Sequence, residues 1–262
     1  MKTSQLMTFV LTFFVFLSTS WSYVLPTDFL LNKVVQKTGR QLVSIDYEVH
    51  FKNDKEQIKT FETWFIDGDK NLKVSATGAD KYKDSIRISS LYTSKNKIQV
   101  SGKVKNNQNI PSDFFQRILF SRNSETLITY LKDQKITFTT KLSRADGRIC
   151  IALGESSINE SSFPMVWVDQ DDFLIRKIRL ASGAEVSLSD YIKIADDFWL
   201  AKKQTLTWAG STVTILVKGY ATKLNNRTQH FLPQDFNQPS ELSFVESTPL
   251  TQVIEDFYKR FR

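Results

Sequence analysis

Long segments of the chain alternate between apolar and polar residues. Between residues 43 and 51 every odd position is apolar and every even position is polar. A period of two is typical of a β-strand with one buried face. The same kind of pattern, interrupted by turns rich in Asp, Asn and Gly, predicts strands at 41–51, 57–66, 72–77, 86–92, 98–104, 164–168, 173–180, 185–194, 198–208, 212–224 and 231–233. The sequence therefore predicts an antiparallel meander of about eleven strands, although the inward face of each strand is undecided because a one-residue slip exchanges the two faces.

Three other segments have helical periodicity. Near the start, Thr27 or Asp28 is the expected N-cap of a short helix that ends before Gly39. Two helices are predicted near residues 112–133, the second capped by Ser124. Since short helices are marginal in water, we expect both to bury an apolar face on the sheet, either as a movable lid or as a fixed plug of the core.

A further amphipathic helix is predicted after the linker that begins at Asn237. Thr248 is a suitable cap, and Pro249 a suitable first residue. Its apolar face contains Leu250, Val253, Ile254, Phe257 and Phe261. This pattern favours a helix docked on the barrel wall over a tail that contacts a partner or a membrane.

Residues 1–22 are predicted to be a secretory signal peptide. Lys2 precedes an apolar run at 6–17, and Ser20 and Ser22 are the small residues expected before a cleavage site, which places the mature start at Tyr23. An uncleaved anchor is the alternative, but the run is short for a membrane span. No Cys follows the apolar run at a position for lipid attachment. We therefore expect a periplasmic, non-lipidated protein.

Composition adds little evidence for chemistry. The net charge of +7 is dispersed along the chain, which does not favour a nucleic-acid partner. The single cysteine, Cys150, has apolar neighbours and is interpreted as a buried core residue rather than a reactive thiol. His50 and His230 belong to no catalytic motif, and the Asp residues at 169–172 lack the Gly and Glu of a calcium loop. We expect no enzyme activity, no cofactor and no metal.

The segment 163–236 resembles the outer-membrane lipoprotein carrier superfamily, which is LolA-like and includes LolB-like and RseB-like relatives. The resemblance depends on a Val-Trp-Val-Asp strand and turn at 166–169, Phe-Leu-Ile-Arg-Lys at 173–177, Asp190-Tyr191, Phe-Trp-Leu-Ala-Lys at 198–202, a Thr-Val-Thr-Ile strand at 212–215 and the closing Phe231-Leu232-Pro233. It implies a mainly β (α+β) fold, an incomplete antiparallel barrel with helices covering its open concave face. The implied domain spans 23–236, and the resemblance does not extend to the predicted linker and helix at 237–262.

The resemblance also implies a function. The expected protein is a carrier that shields the acyl chains of a lipid or lipoprotein in an apolar cavity and hands them to a partner at the outer membrane. We expect a monomer, with a membrane-bound donor or acceptor protein as a further partner; an RseB-like sensor or scaffold acting through protein contacts is the alternative. The residues expected to bind lipid are Tyr47, Val49, Phe51, Trp64, Phe114, Phe115, Ile118, Leu127, Ile128, Leu131, Trp167 and Phe173.

The chain departs from the carrier pattern at one functional position. Typical carriers have an Arg-Pro pair after the second strand, and the Arg helps to hold the lid closed. The matching place here reads Asp67-Gly68-Asp69-Lys70-Asn71. The resemblance therefore does not carry this lid contact over to the chain.

Overall fold

The computed structural model describes residues 25–101, 104–155, 163–225, 227–233 and 236–262. The expected signal peptide lies outside these residues. Within them, no helix combines the length and the apolar character needed to cross a membrane.

The described residues form one antiparallel sheet of fourteen strands. Its strand order is β6-β5-β4-β3-β2-β1-β13-β12-β11-β10-β9-β8-β7, and β14 pairs with β4. Because β6 and β7 stand at opposite ends of this order, the sheet is not closed. The strands are β1 (Val43–Lys52), β2 (Gln57–Ile66), β3 (Leu72–Gly78), β4 (Ile86–Tyr92), β5 (Asn96–Ser101), β6 (Val104–Asn109), β7 (Thr140–Ala145), β8 (Arg148–Gly154), β9 (Met165–Asp169), β10 (Ile175–Arg179), β11 (Glu185–Ala195), β12 (Phe198–Trp208), β13 (Ser211–Ala221) and β14 (Glu241–Leu242).

The strand count exceeds the predicted number of about eleven. The hairpin of β7 and β8 was missed, although Asp146 and Gly147 both have positive φ, as a type I′ hairpin turn requires. The predicted strand at 98–104 is divided between β5 and β6, and the short β14 was also missed. The predicted closing strand at 231–233 is wrong, because residues Arg227–Phe231 form a 3-10 helix.

Four α-helices are present in the described residues. They are α1 (Thr27–Val35), α2 (Gln116–Leu119), α3 (Ser124–Asp133) and α4 (Pro249–Phe261), and a second 3-10 helix spans Asp80–Tyr82. Two predicted caps are wrong. Pro26 occupies the N-cap of α1, and Asn123 caps α3 by accepting hydrogen bonds from the backbone N–H groups of Glu125 and Thr126. The first helix near 112–133 is also shorter than predicted, so that Phe114 and Phe115 precede it.

The predicted start of α4 is confirmed. The Thr248 hydroxyl accepts from the Thr251 N–H, the Thr251 hydroxyl accepts from the Thr248 N–H, and Pro249 is the first helical residue. This reciprocal pair satisfies two backbone donors at the helix start.

One large core joins the sheet to all four helices. The alternation predicted for β1 is confirmed, since Val43, Ile45, Tyr47, Val49 and Phe51 are all buried in it. In β2 the core face contains Thr60, Glu62 and Trp64, whereas Phe61 is 47% exposed on the other face. The sequence pattern left the inward face of β2 undecided. Pairing with β1 and β3 fixes that face and places the acidic side chain of Glu62 in the core.

We expect Phe257→Ala to destabilise the protein by about 3–5 kcal/mol. The Phe257 ring is fully buried, lies 5.2 Å from the ring of Phe51 and 6.3 Å from that of Trp208, and its removal would leave a cavity. Urea unfolding measures the change. The control Val245→Ala, at a fully exposed position, should change the free energy of unfolding by less than about 0.5 kcal/mol. Equal effects of the two substitutions would contradict the placement of α4 in the core.

Candidate ligand-binding interior

The interior between the sheet and the helices contains most of the residues predicted to bind lipid. Eleven of the twelve lie in the large core or pack against it. Nine of these are buried, and two are half-buried at its margin, Ile128 and Phe173. The buried ones are Tyr47, Val49, Phe51, Trp64, Phe114, Phe115, Ile118, Leu127 and Leu131.

Trp167 is the one predicted residue that the structure places elsewhere. Val166 and Val168 of β9 belong to the large core, so the intervening Trp167 side chain lies on the opposite face of the sheet. There it forms a small cluster with Ala145, Cys150, Ala152 and Met165. The predicted burial of Cys150 is confirmed, and this burial raises the pKa of its thiol.

The α4 helix packs one face into the interior. The Phe261 ring lies 5.0 Å from that of Trp208, and the Tyr258 hydroxyl is 2.7 Å from the hydroxyl of Thr60 on β2. The predicted docking of this helix by its apolar stripe is confirmed, since one face is buried in the core while Gln252, Glu255 and Lys259 remain exposed. Its buried face also includes Thr251 and Tyr258, whereas the predicted Val253 is only half-buried.

A buried ion pair holds the end of α4. The Arg262 Nε atom donates to both Glu62 carboxylate oxygens, at 3.0 and 3.1 Å, and the Trp64 indole donates to the same carboxylate at 2.8 Å. The guanidinium also lies 5.1 Å from the Trp64 ring centroid. Both charged side chains are nearly inaccessible to water, at 2% and 0% exposure. Removing either partner would leave the other charge buried without compensation, which is strongly unfavourable.

Lys97 on β5 makes a second buried polar contact with the same residue. Its ammonium donates to the main-chain oxygen of Arg262 at 2.6 Å, and the residue is only 4% exposed. Burial lowers the pKa of the Lys97 ammonium to about 8. Sequence analysis missed Glu62, Lys97 and Arg262, since no local pattern shows that these three charged side chains converge.

Polar contacts hold α2 and α3 against the sheet. Arg122, between these helices, donates to the Asp67 carboxylate at 2.7 Å and to the Gln41 carbonyl at 2.6 Å. The Tyr130 hydroxyl on α3 donates to the Asp69 carboxylate at 2.8 Å. The turn at 67–71, which lacks the carriers' Arg-Pro pair, therefore provides the acceptors Asp67 and Asp69. The helical segment provides the donors Arg122 and Tyr130.

A further ion pair links this helical segment to α4. The Arg260 guanidinium donates to the Asp113 carboxylate at 2.7 Å, and this contact raises the pKa of Arg260 although partial burial opposes it. Arg260 also approaches Asp256, one turn earlier on its own helix, at 3.5 Å. The residues before α2 are thus tied to the end of α4.

Two small spaces remain in or near the interior. An apolar cleft of about 40 Å³, partly open to solvent, lies between α1, α2 and strands β10 to β12, and its lining includes Val34, Leu119, Phe173, Leu188 and Leu200. A more enclosed cavity of about 10 Å³ lies where Tyr47, Trp64, Gln116, Gln204 and Arg262 meet. The Gln116 Oε1 atom is buried and has no hydrogen-bond partner among the described residues.

The other polar candidates lie away from this interior. His50 contacts Glu48 and Gln57. His230 stacks on Phe65, which lies on the face of β2 that points away from the core. Asp169 is buried rather than solvated: its carboxylate accepts the N–H groups of Asp171 and Asp172 and pairs with Arg176. In the described part of the chain, no group of three or more His, Cys, Asp or Glu side chains is arranged to hold a metal ion.

Comparison with solved structures confirms the predicted resemblance at the level of the fold. A candidate outer membrane lipoprotein-sorting protein domain from Vibrio parahaemolyticus superposes with a TM-score of 0.55 at 12% identity, covering 81% of this chain and 98% of that one. A LolA superfamily protein from Nitrosomonas europaea gives 0.55 at 10% identity, with 80% and 99% coverage. A DUF1329 family protein from Desulfovibrio piger gives 0.52 at 14% identity, with 80% and 97% coverage. No protein-family model and no curated protein matches the sequence. The chain thus has the fold of LolA superfamily proteins.

The burial of Lys97 predicts a specific pH dependence of stability. Its folded-state pKa of about 8 lies below the value of about 10.4 in an unfolded chain, so the unfolded state binds more protons between these values. The free energy of unfolding should therefore rise as the pH increases from about 7.5 to 10, by up to about 3 kcal/mol. Urea unfolding at a series of pH values measures this rise.

The matched variant for this experiment is Lys97→Met, which keeps the length of the side chain and removes its charge. Buried tyrosines such as Tyr47 have a raised pKa and oppose the rise above about pH 10, so the difference between the two proteins is the informative quantity. Parallel pH profiles for the wild type and Lys97→Met would show that burial does not perturb Lys97.

Proposed function

We propose that this protein binds the acyl chains of a lipid or lipoprotein in the interior between the sheet and its helices. It acts in the periplasm as a carrier, with α1, α2 and α3 covering the open concave side of the half-barrel and a membrane-bound partner receiving the cargo. The observation that supports this most directly is the continuous apolar interior that contains eleven of the twelve expected residues.

Apolar burial is sufficient to bind such a ligand. Each buried methylene contributes roughly 0.8 kcal/mol, so a chain of about ten methylenes would gain roughly 8 kcal/mol before the costs of binding. The apolar cleft lined by Phe173 and Leu188 already offers a partly open entry to the interior. No reactive group is needed for this function, and both histidines lie outside the interior.

The cover is made of separate pieces that can move without breaking the sheet. The segment with α2 and α3 is held by the contacts of Arg122 with Asp67 and of Tyr130 with Asp69. These contacts are largely buried, so breaking them has a cost that the apolar contacts of the entering acyl chains must offset. Closing would return the helices to the sheet.

Native mass spectrometry of the mature protein tests the proposal. After gentle purification, or after incubation with offered lipid or lipopeptide, we expect a discrete added mass that dissociates as lipid. Phe173→Asp, at the half-buried margin of the interior, should reduce lipid uptake at least tenfold, because a carboxylate in the cleft disfavours an acyl chain. Phe173 has a φ of +58°, which Asp tolerates, so this variant should fold.

Leu142→Asp is the matched control for this experiment. It introduces the same charge at a half-exposed position on β7, outside the cleft, and should leave lipid uptake unchanged. A bare protein mass with every lipid offered would overturn the carrier proposal and leave a function based on protein contacts. Equal loss of uptake in both variants would show that the cleft is not the entry.

Export gives a separate prediction. When the chain is produced with residues 1–22 in a bacterium that exports it, the mature protein should begin at Tyr23 and carry no lipid on its N-terminus. The intact mass of the protein from the periplasmic fraction checks this. A mass that retains the first 22 residues would favour an uncleaved anchor.

A further inference from the structure

The end of α4 lies on two buried side chains of opposite charge, one acidic and one basic. The Glu62 carboxylate accepts a hydrogen bond from the Arg262 guanidinium, and the Lys97 ammonium donates one to the Arg262 main-chain oxygen. We propose that α4 occupies a binding site for a zwitterionic amphiphile, whose cation pairs with Glu62, whose oxygen anion pairs with Lys97, and whose apolar chain replaces the buried face of α4. This inference rests on the proposed function and names the class of its ligand.

The position of Glu62 is the first argument for a cationic group in the ligand. The carboxylate is buried, receives the Trp64 indole and lies on the same face of the sheet as the apolar interior. If α4 left and an uncharged chain entered, this carboxylate would lose its cation while still surrounded by apolar groups. A ligand with an ammonium or guanidinium group restores the pair.

Lys97 gives the second argument, for an oxygen anion beside that cation. Lys97 is 4% exposed, and the Arg262 oxygen is the hydrogen-bond acceptor that the structure shows for its ammonium. Displacement of α4 would remove this acceptor from a buried ammonium. A phosphate or carboxylate in the ligand would replace it with a charge-assisted hydrogen bond.

A head group would take the space that Arg262 vacates. The small cavity beside these charges, about 10 Å³ and close to the minimum for one water molecule, is lined by Arg262 itself, with Tyr47, Trp64, Gln116 and Gln204. The Gln116 Oε1 atom has no partner among the described residues, although the side chain is buried. A buried, unpaired acceptor next to a cavity is a site where a ligand N–H group gains a hydrogen bond.

The apolar half of the ligand is indicated by what α4 buries. Leu250, Ile254, Phe257 and Phe261 fill the region bounded by Phe51 and Trp208. A linear acyl chain offers a comparable apolar surface without the backbone polar groups of a helix. The ligand and the buried face of α4 are thus alternative occupants of the same space.

Three amphiphiles with the same 14-carbon chain test the proposal on the full mature protein. They are a lysophosphatidylethanolamine, which carries both charges, the matching lysophosphatidic acid, which lacks the ammonium, and tetradecylamine, which lacks the phosphate. Binding is measured by isothermal titration calorimetry below the micelle concentration of each. We expect the zwitterionic compound to bind about tenfold or more tightly than either of the others.

Two charge-removing variants assign the preference to residues. Glu62→Gln should abolish the advantage of lysophosphatidylethanolamine over lysophosphatidic acid, and Lys97→Gln should abolish its advantage over tetradecylamine. The controls Glu255→Gln and Lys259→Gln remove the same charges from the exposed side of α4 and should change neither preference. If Glu62→Gln does not fold, Glu62→Gln with Arg262→Gln removes both buried charges together and gives the same readout.

Hydrogen exchange of α4 backbone amides separates this inference from the proposed function. Ligand binding should increase exchange in residues 250–261 if the ligand takes the place of the helix. Binding without head-group preference, or with α4 still protected, would overturn the inference and leave the carrier proposal intact. No binding of any of the three amphiphiles, when other lipids are also refused, would overturn both. Binding of a basic amphipathic peptide instead of all lipids would assign the site to a partner helix.

Discussion

The apolar face of an open sheet must be covered by something outside the sheet. A closed barrel would bury this face against itself, but here β6 and β7 stand at opposite ends of the strand order. The apolar side chains of the four helices join those of the strands in one core. Because these helices are short, they gain their stability from this contact rather than from helix propensity. The helices and the sheet therefore depend on each other for stability.

Within this core, α4 is positioned by buried charge as well as by apolar contact. Apolar packing tolerates small shifts along a helix, whereas the Arg262 contact with Glu62 requires one register. The Thr248 capping box fixes the other end of the same helix. Buried ion pairs are poor evidence for net stability, and we interpret this pair as a device that specifies where the helix ends.

The same arrangement sets the cost of binding. In the proposed function a ligand must compete with α4 or with the helices around Tyr130, so its affinity is the difference between two sets of apolar contacts. A carrier benefits from such a difference, because cargo that binds too tightly is not released. The ion pair between Arg260 and Asp113 would partly couple displacement of α4 to displacement of the segment with α2 and α3.

The sequence by itself determined most of the strands and of the helix faces, because their periodicities are local. The alternation of β1, the apolar stripe of α4 and the cap at Thr248 all required only neighbours along the chain. The resemblance at 163–236 indicated the fold, and eleven of the twelve expected site residues lie in one interior. What the tertiary structure decided was which strand faces look inward, so that Glu62 is inside and Trp167 outside. It also decided that Arg262 meets Lys97 and Glu62, which precede it by 165 and 200 positions, since such contacts depend on long-range packing that no local pattern contains.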